Sequence, residues 1–222
     1  MTKLVVIEGL DGSGKATQAK KLTEFFNSSY GCFKRSSKYI TFPNYDSKSS
    51  EMVKMYLKGE LGTNPDDVNP YVASTFFSID RYLTFNEMGD DYYKNSFVVS
   101  DRYTTSNIIY QCAKMHKDNW KSYIHWLLDF EYIKLGLPKP DKVIYLYVPI
   151  KVSQKLMSER YSGDEGKKDI HEKNLGYLKR CQEVANYCVD NLQWIKIDCT
   201  KDGQLLSIDQ IHELIKEAVL DN

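Results

Sequence analysis

Apolar residues follow two different spacings along the chain, and segments of the two kinds alternate. Five short apolar runs are largely continuous, which is typical of parallel strands buried on both faces. They span 4–7, 38–42, 97–101, 142–148 and 194–198. Between them, apolar residues recur every three or four positions, which predicts amphipathic helices. These helices span about 16–26, 52–57, 70–87, 103–115, 119–136, 151–160, 172–189 and 208–220. This order predicts an α/β fold with a five-stranded parallel sheet and helices on both faces.

A glycine-rich turn joins the first predicted strand to the first predicted helix. It reads Gly9-Leu-Asp-Gly-Ser-Gly-Lys15 and fits the G-x-x-x-x-G-K part of the P-loop pattern. Glycine lets the backbone adopt positive φ and bring N–H groups close to an anion, while the helix N-terminus adds about half a positive charge. The strand–turn–helix order favours a phosphate site over an ordinary turn with a surface lysine. Its contacts would come from Gly9, Asp11, Gly12, Ser13, Gly14, Lys15, Ala16 and Thr17.

The metal position of this motif is altered. Ala16 follows Lys15, where the pattern has a serine or threonine whose hydroxyl binds magnesium. Thr17 does not replace it, because one residue further lies about 100° around the helix. We therefore expect phosphates, waters and carboxylates to hold a metal. Asp101 ends the third strand and Arg102 follows it, at the strand end where open α/β sheets bind ligands. A buried structural ion pair is the alternative.

Two residue pairs each share one face of a predicted helix, and one of them is a candidate for binding a flat ligand. Phe77 and Arg81 are four residues apart, so they share a helix face and can present a ring with a guanidinium at its edge. From the pattern alone, the preferred interpretation is an aromatic core stripe that ends in a solvated arginine. Asn107 and Tyr110 lie three apart on one face of a later helix, and that pair alone predicts no role.

A charged, glycine-containing stretch at 161–171 interrupts the helical pattern. We interpret it as a candidate lid. Its cations, Arg160, Lys167 and Lys168, would supply the mobile charge that phosphoryl transfer needs. A solvated surface loop is the alternative.

Composition narrows the class of protein and its partners. The 222 residues fit one domain with a full core, and 30 basic and 30 acidic residues cancel. This balance argues against bulk binding of nucleic acid or of an anionic membrane surface. The five cysteines show no C-x-x-C pairing, which favours reduced thiols, and no apolar run has the length of a membrane span or a signal peptide. We expect a cytoplasmic protein.

The order of these motifs resembles the thymidylate kinase family of P-loop nucleoside monophosphate kinases across nearly the whole chain. Five motifs carry the resemblance: Glu8-Gly9-Leu10-Asp11 with Gly14-Lys15, Phe42-Pro43, Phe77 with Arg81, Asp101-Arg102-Tyr103, and Ser106-Asn107 with Tyr110. The resemblance implies a three-layer P-loop NTPase fold in a single kinase domain over 1–222, with an acceptor-binding helical region at about 44–95 and a short lid at about 160–172. It also implies a homodimer that transfers the γ-phosphoryl group of ATP to dTMP with Mg²⁺, giving dTDP for dTTP synthesis.

The resemblance further implies individual roles. Phe77 would stack on thymine, Arg81 and Asn107 would bind its edge, and Tyr110 would crowd the 2′ side of the sugar. The acceptor loop would contribute Phe42 and Pro43, and Asp11 would meet the sugar hydroxyl or the metal shell, directly or through water. Arg102 would bridge the acceptor phosphate and ATP, and Asp101 would organise magnesium. The implied catalytic residues are Lys15, Asp101, Arg102 and Arg160.

Three positions depart from the family pattern. Tyr45 stands where the family usually has an arginine for the acceptor phosphate, and Ala16 removes the metal hydroxyl. Ser13 places no arginine inside the P-loop, which in the family goes with lid arginines and makes Arg160 the candidate. Two alternatives follow: a deoxynucleoside kinase, which would need a general base for its uncharged acceptor, and a nucleotide-binding homologue with weak turnover.

Overall fold

The computed structural model describes residues 2–28, 36–160, 162, 164 and 169–221, without the side chain of Arg160. Its centre is a five-stranded parallel sheet in the order β2-β3-β1-β4-β5, which confirms the predicted sheet. The strands are β1 Lys3–Gly9, β2 Ser37–Thr41, β3 Phe97–Asp101, β4 Lys142–Tyr147 and β5 Ile195–Asp198.

Helices connect the strands as the apolar spacing predicts. They are α1 Lys15–Asn27, α2 Glu51–Leu57, α3 Pro70–Met88, α4 Asp91–Lys94, α5 Thr104–Cys112, α6 Trp120–Leu128, α7 Ile150–Arg160, α8 Leu175–Asn191 and α9 Ile208–Leu220. Asn69 begins α3 by accepting hydrogen bonds from the N–H groups of Tyr71 and Val72, with proline in the first turn. None of the described helices combines the length and the apolar character needed to cross a bilayer.

Both faces of the sheet are covered, because side chains of each strand alternate between two cores. Val5 and Ile7 of β1 pack with α1 and α9, whereas Leu4 and Val6 pack with α5, α6 and α8. The fold is therefore a three-layer α/β arrangement. A third, smaller cluster joins α2 and α3 to Ile170, whose N–H donates to the carbonyl of Leu57 at 3.3 Å. This contact holds the segment at 169–172 against α2.

Several local features differ from the prediction. The single helix expected over 119–136 is α6 followed by a π-helical turn, Asp129–Lys134. The helix expected over 172–189 begins later, at Leu175, and ends at Asn191. A small antiparallel pair, β6 Thr200–Lys201 and β7 Gln204–Leu205, was not predicted, because two-residue strands carry no periodicity. Most of the candidate lid, including Lys167, Lys168 and the side chain of Arg160, lies outside the described residues.

Candidate active site

A cavity of about 500 Å³ opens where the carboxyl ends of β1, β2 and β3 meet α3 and α5. It brings together most of the predicted site residues. Those that line it are Asp11, Lys15, Ala16, Phe42, Pro43, Phe77, Arg81, Asp101, Arg102, Asn107 and Tyr110. Gly9, Gly12, Ser13, Gly14 and Thr17 belong to the loop and first helical turn rather than to the cavity wall.

The glycine-rich turn has the backbone geometry of an anion cradle. Gly12 and Gly14 have φ of 80° and 79°, a region that glycine adopts without strain. A side chain at Gly12 would place its Cβ 2.6 Å from the carbonyl oxygen of Ser153, so only glycine fits there. Gly14 is the N-cap of α1, and the first N–H groups of that helix have no intrahelical partner. These groups and the helix dipole favour a bound phosphate.

Lys15 and Asp11 lie close together beside this cradle. The Lys15 ammonium is 3.3 Å from Asp11 Oδ1 and 3.4 Å from the carbonyl of Leu10. Asp11 also accepts hydrogen bonds from Arg102 Nη2 and, at 2.9 Å, from the Tyr110 hydroxyl. Burial alone would raise the pKa of Asp11, but the charges of Arg102 and Lys15 outweigh it and hold that pKa well below its usual range. Asp11 is therefore ionised and already neutralised by two cations.

Arg102 is held by partners from two elements. Its φ of 64° is uncommon for a residue with a side chain, and its N–H donates to the carbonyl of Ile7 at the end of β1. Nη1 donates to Ser106 Oγ at 3.2 Å and lies 3.7 Å from Glu8 Oε1. Glu8 is fully buried and also accepts from the hydroxyls of Thr105 and Ser106. The alternative interpretation, a structural ion pair within Asp101-Arg102, is therefore wrong for the described residues, because Arg102 pairs with Asp11 and Glu8.

Asp101 has one oxygen available to a ligand. Oδ2 lies 3.4 Å from the hydroxyls of Tyr39 and Thr41, whereas Oδ1 is buried and has no hydrogen-bond partner among the described residues. An orphaned carboxylate oxygen beside a phosphate cradle fits a Mg²⁺ ligand, because that ion prefers oxygen donors and is often held by one or two carboxylates together with phosphates. Within the described ranges, no group of three or more His, Cys, Asp and Glu residues forms a metal cage.

Phe77, Arg81 and Asn107 line the cavity from helices α3 and α5. Phe77 is half-buried, and its ring meets the Tyr56 ring edge-on with centroids 6.1 Å apart. Arg81 is 1% exposed and donates from Nε and Nη2 to Glu131 at 2.8 and 2.5 Å. The interpretation of Arg81 as a solvated arginine is therefore wrong: the residue is buried, paired and part of the cavity wall.

Sequence reasoning missed several polar residues at this site. Glu131 lies four residues after Leu127, on the apolar stripe of the predicted helix. A lone acid on such a stripe indicates a buried, paired carboxylate, and this was the signal that could have identified it. Gln111 lines the cavity and is fully buried.

The last residues of the candidate lid also contribute to the wall. His171 stacks on the Tyr110 ring at 5.1 Å between centroids, and its Nε2 lies 2.8 Å from the Tyr56 hydroxyl. Burial, with a smaller effect of Lys114, lowers the pKa of His171 to about 3, so the imidazole is neutral. Burial and the charge of Asp11 raise the pKa of Asp169 to about 7. The charged stretch at 161–171 includes both residues, but no local pattern predicted their contacts, which depend on docking against α2 and α5.

Comparisons with known proteins point to one family. The family model described as thymidylate kinase matches residues 7–215. The chain is 30% identical over 216 residues to a thymidylate kinase from Plasmodium falciparum, covering 97% of this chain and 89% of that protein. It is 31% identical over 183 residues to one from Mycobacterium tuberculosis, covering 82% of this chain and 83% of that protein.

A solved structure supports the fold. The chain superposes on a thymidylate kinase from Candida albicans with a TM-score of 0.70 and 22% identity, covering 98% of this chain and 91% of that one. At this identity the likeness concerns the fold alone. The family model and the sequence relatives are evidence of family as well as of fold, because both matches extend over most of the chain.

Proposed function

Because the chain belongs to the thymidylate kinase family, we propose that it transfers the γ-phosphoryl group of ATP to dTMP, giving dTDP and ADP. The observation that carries this proposal is the layout of one cavity. The same cavity is lined by Lys15 of the phosphate cradle, which contacts Asp11, and by Phe77 with Arg81, whose guanidinium contacts Glu131 instead. Arg102 and Asp101 line the same cavity between the sheet and α5. Such a cavity suits a nucleotide phosphate donor facing a monophosphate acceptor.

The chemistry asks the protein mainly for positioning and for charge stabilisation, because the γ-phosphoryl group passes through a loose, in-line transition state. Lys15 would bind the outer phosphates of ATP through the cradle, and Arg102 would bridge them to the acceptor phosphate. Arg102 would then exchange its contact with Asp11 for phosphate oxygens, which are stronger ligands for a guanidinium. When bound, Mg²⁺ would neutralise phosphate charge, held by Asp101 Oδ1 and by water next to Asp11.

The acceptor would lie between α3 and α5. Phe77 would stack on the base, Arg81 and Asn107 would bind its edge, and Tyr110 would pack against the sugar. Tyr45 lines the cavity where the family usually has an arginine, so Arg102 would carry more of the acceptor phosphate charge. Phe42 and Pro43 would close the acceptor loop. Arg160, on the last turn of α7, would supply the lid cation.

We further propose one kinase domain over 1–222, with the acceptor region at about 44–95 and the lid at about 160–172. α3 supports a homodimer, because it exposes apolar side chains spaced along one face, including Val72, Ile79 and Leu83. Light scattering after gel filtration measures the mass in solution and tests the dimer. The described cysteines are buried free thiols, which supports a reducing compartment such as the cytoplasm.

Two alternatives remain to be tested against this function. A deoxynucleoside kinase would use a carboxylate as general base, and Asp169 lies in the cavity with a pKa of about 7. A weakly active homologue would bind nucleotides without turnover, as Ala16 suggests. Family membership favours dTMP phosphorylation over both.

One panel separates the three functions. Purified protein with Mg·ATP is offered dTMP, dUMP, dGMP and thymidine, and ADP release is compared. Preferential release with dTMP supports the proposal. Faster release with thymidine would establish the nucleoside kinase, and binding of dTMP without ADP release would establish the inactive homologue.

A further inference from the structure

Glu131 lies behind the residues proposed to read the acceptor base. It is fully buried on the π-helical turn after α6 and is not itself part of the cavity wall. Its carboxylate accepts from Arg81 Nε at 2.8 Å and Nη2 at 2.5 Å, and from the Thr104 hydroxyl. It also accepts from Ser78 Oγ at 2.7 Å and Asn107 Nδ2 at 3.4 Å. One carboxylate therefore contacts both edge-binding residues.

Glu131 sets the hydrogen-bonding character of Arg81. A guanidinium has five N–H groups and no acceptor. Three are engaged, two with Glu131 and one, at 3.5 Å, with the carbonyl of Tyr103, so two remain for a ligand. Arg81 is 1% exposed yet lines the cavity, so a ligand reaches these N–H groups from the cavity. Arg81 thus presents donors in a fixed orientation.

Glu131 also sets the orientation of the Asn107 amide. Nδ2 of Asn107 donates to the carbonyl of Ser74 at 3.2 Å and to Glu131 at 3.4 Å. Both partners can only accept, so the NH₂ group must face them and Oδ1 becomes the atom offered to a ligand. Asn107 is 2% exposed and lines the cavity. The pair therefore offers a donor from Arg81 and an acceptor from Asn107.

We propose that Glu131 is a positioning residue that fixes this donor–acceptor polarity and thereby selects a 4-oxo pyrimidine over a 4-amino pyrimidine. A 4-oxo pyrimidine presents an acceptor at O4 and a donor at N3–H, which complements the pair. A 4-amino pyrimidine presents a donor and an acceptor in the reverse order and would leave buried groups unpaired, which such sites reject strongly. This inference rests on the proposed function, since it takes the cavity as the acceptor site.

The sharpest comparison is between dUMP and dCMP, because the two differ only at the 4-position and N3. Glu131→Gln keeps the size of the side chain but replaces one acceptor oxygen by an NH₂ donor. That donor would face an N–H group of Arg81 or the NH₂ group of Asn107, so one of them must turn away. We expect the ratio of kcat/KM for dUMP to that for dCMP to fall about tenfold or more, with the KM for ATP unchanged.

Two further variants separate positioning from general support of the fold. Asp80→Asn alters a different buried carboxylate, on α3, which accepts hydrogen bonds from the N–H of Asn44 and the hydroxyl of Ser49. Asp80 does not line the cavity. It should lower the melting temperature and keep the dUMP-to-dCMP ratio. Glu131→Asp keeps a group that only accepts, so it should also keep the ratio even where both KM values rise.

The parent protein provides a test that needs no variant. It should prefer dUMP to dCMP by about tenfold or more, as expected when one buried hydrogen-bonding pair is reversed. Equal kcat/KM values in the parent, or a Glu131→Gln variant that slows both acceptors equally, would overturn the role of Glu131. If the parent phosphorylates neither these nucleotides nor dTMP, the proposed function fails, and calorimetric affinities for dUMP and dCMP still measure the polarity of the pocket.

Discussion

Replacement of Phe77 by alanine tests the proposed acceptor site most directly. The ring lines the cavity, is half-buried and packs edge-on against Tyr56 at 6.1 Å. A base stacked on an aromatic side chain contributes about 1–3 kcal/mol to binding, which converts to roughly 5- to 150-fold in Kd. We expect Phe77→Ala to weaken dTMP binding by that amount. ATP binding should be unchanged, because Phe77 is not part of the phosphate cradle.

Phe76 provides a matched control. It is the preceding residue of α3, is also half-buried and packs against the same cluster between α2 and α3, but it does not line the cavity. Full burial of a phenylalanine is worth about 3–5 kcal/mol against alanine, so both half-buried rings should lose a similar, smaller amount of unfolding free energy. Isothermal titration calorimetry with dTMP and with ATP, beside thermal melting, measures both effects.

The outcome distinguishes a ligand contact from a core position. Only Phe77→Ala should lose affinity for dTMP while both variants melt at a lower temperature than the parent. An equal loss of dTMP affinity in the two variants would show that Phe77 supports the fold without touching the base. A loss of ATP affinity that matches the loss of dTMP affinity would refute the separation of Phe77 from the phosphate cradle.

Three other predictions concern the reaction and its pH dependence. Lys15→Ala should lower kcat for ADP release about 100-fold or more, because an electrostatic stabiliser is lost; normal turnover of a folded variant would exclude the cradle from catalysis. Asp101→Asn should raise the Mg²⁺ concentration needed for half-maximal turnover, and Ala16→Ser should lower it modestly, since a full charge outweighs a neutral oxygen ligand. An unchanged Mg²⁺ titration in Asp101→Asn would contradict the assignment of Asp101 as a metal ligand. Asp169 has a raised pKa of about 7, so its protonated carboxyl stabilises the fold. This contribution is full below pH 3.8, the pKa of the group in the unfolded chain, and is lost as the pH rises to about 7. The lowered pKa of His171, about 3, has the opposite effect, because protonation of the unfolded chain below pH 6.5 favours unfolding. In Asp169→Asn this effect is no longer offset. The unfolding free energy of the variant should then fall by up to about 1.4 kcal/mol per pH unit on acidification from pH 6.5 to 4, where that of the parent stays flatter. Chemical denaturation across that range measures the slope, and equal slopes would refute the opposition of the two groups.

Most of the fold was predictable from the sequence, because periodicity reports burial along one element at a time. The bounds of β3 and α9 match the predicted 97–101 and 208–220. Continuous apolar runs identify strands covered on both faces, and the glycine turn identifies the phosphate cradle from local backbone needs. Part of the cavity lining was predictable in the same way, because Lys15, Asp101 and Arg102 belong to short motifs at strand ends. Phe77, Arg81 and Asn107 were favoured as site residues only through the resemblance to the family.

Tertiary structure alone decided how those residues are partnered. Arg81 had the pattern of a solvated residue, yet it pairs with Glu131, which lies 50 positions later on a π-helical turn. Asp11 pairs with Arg102, 91 positions away, so a candidate metal ligand is neutralised by a cation from the loop after β3. Local spacing measures how often an element meets the core. It carries no information on which charged group of a distant element lies next to a given residue, because only the packing of the two elements brings those groups together.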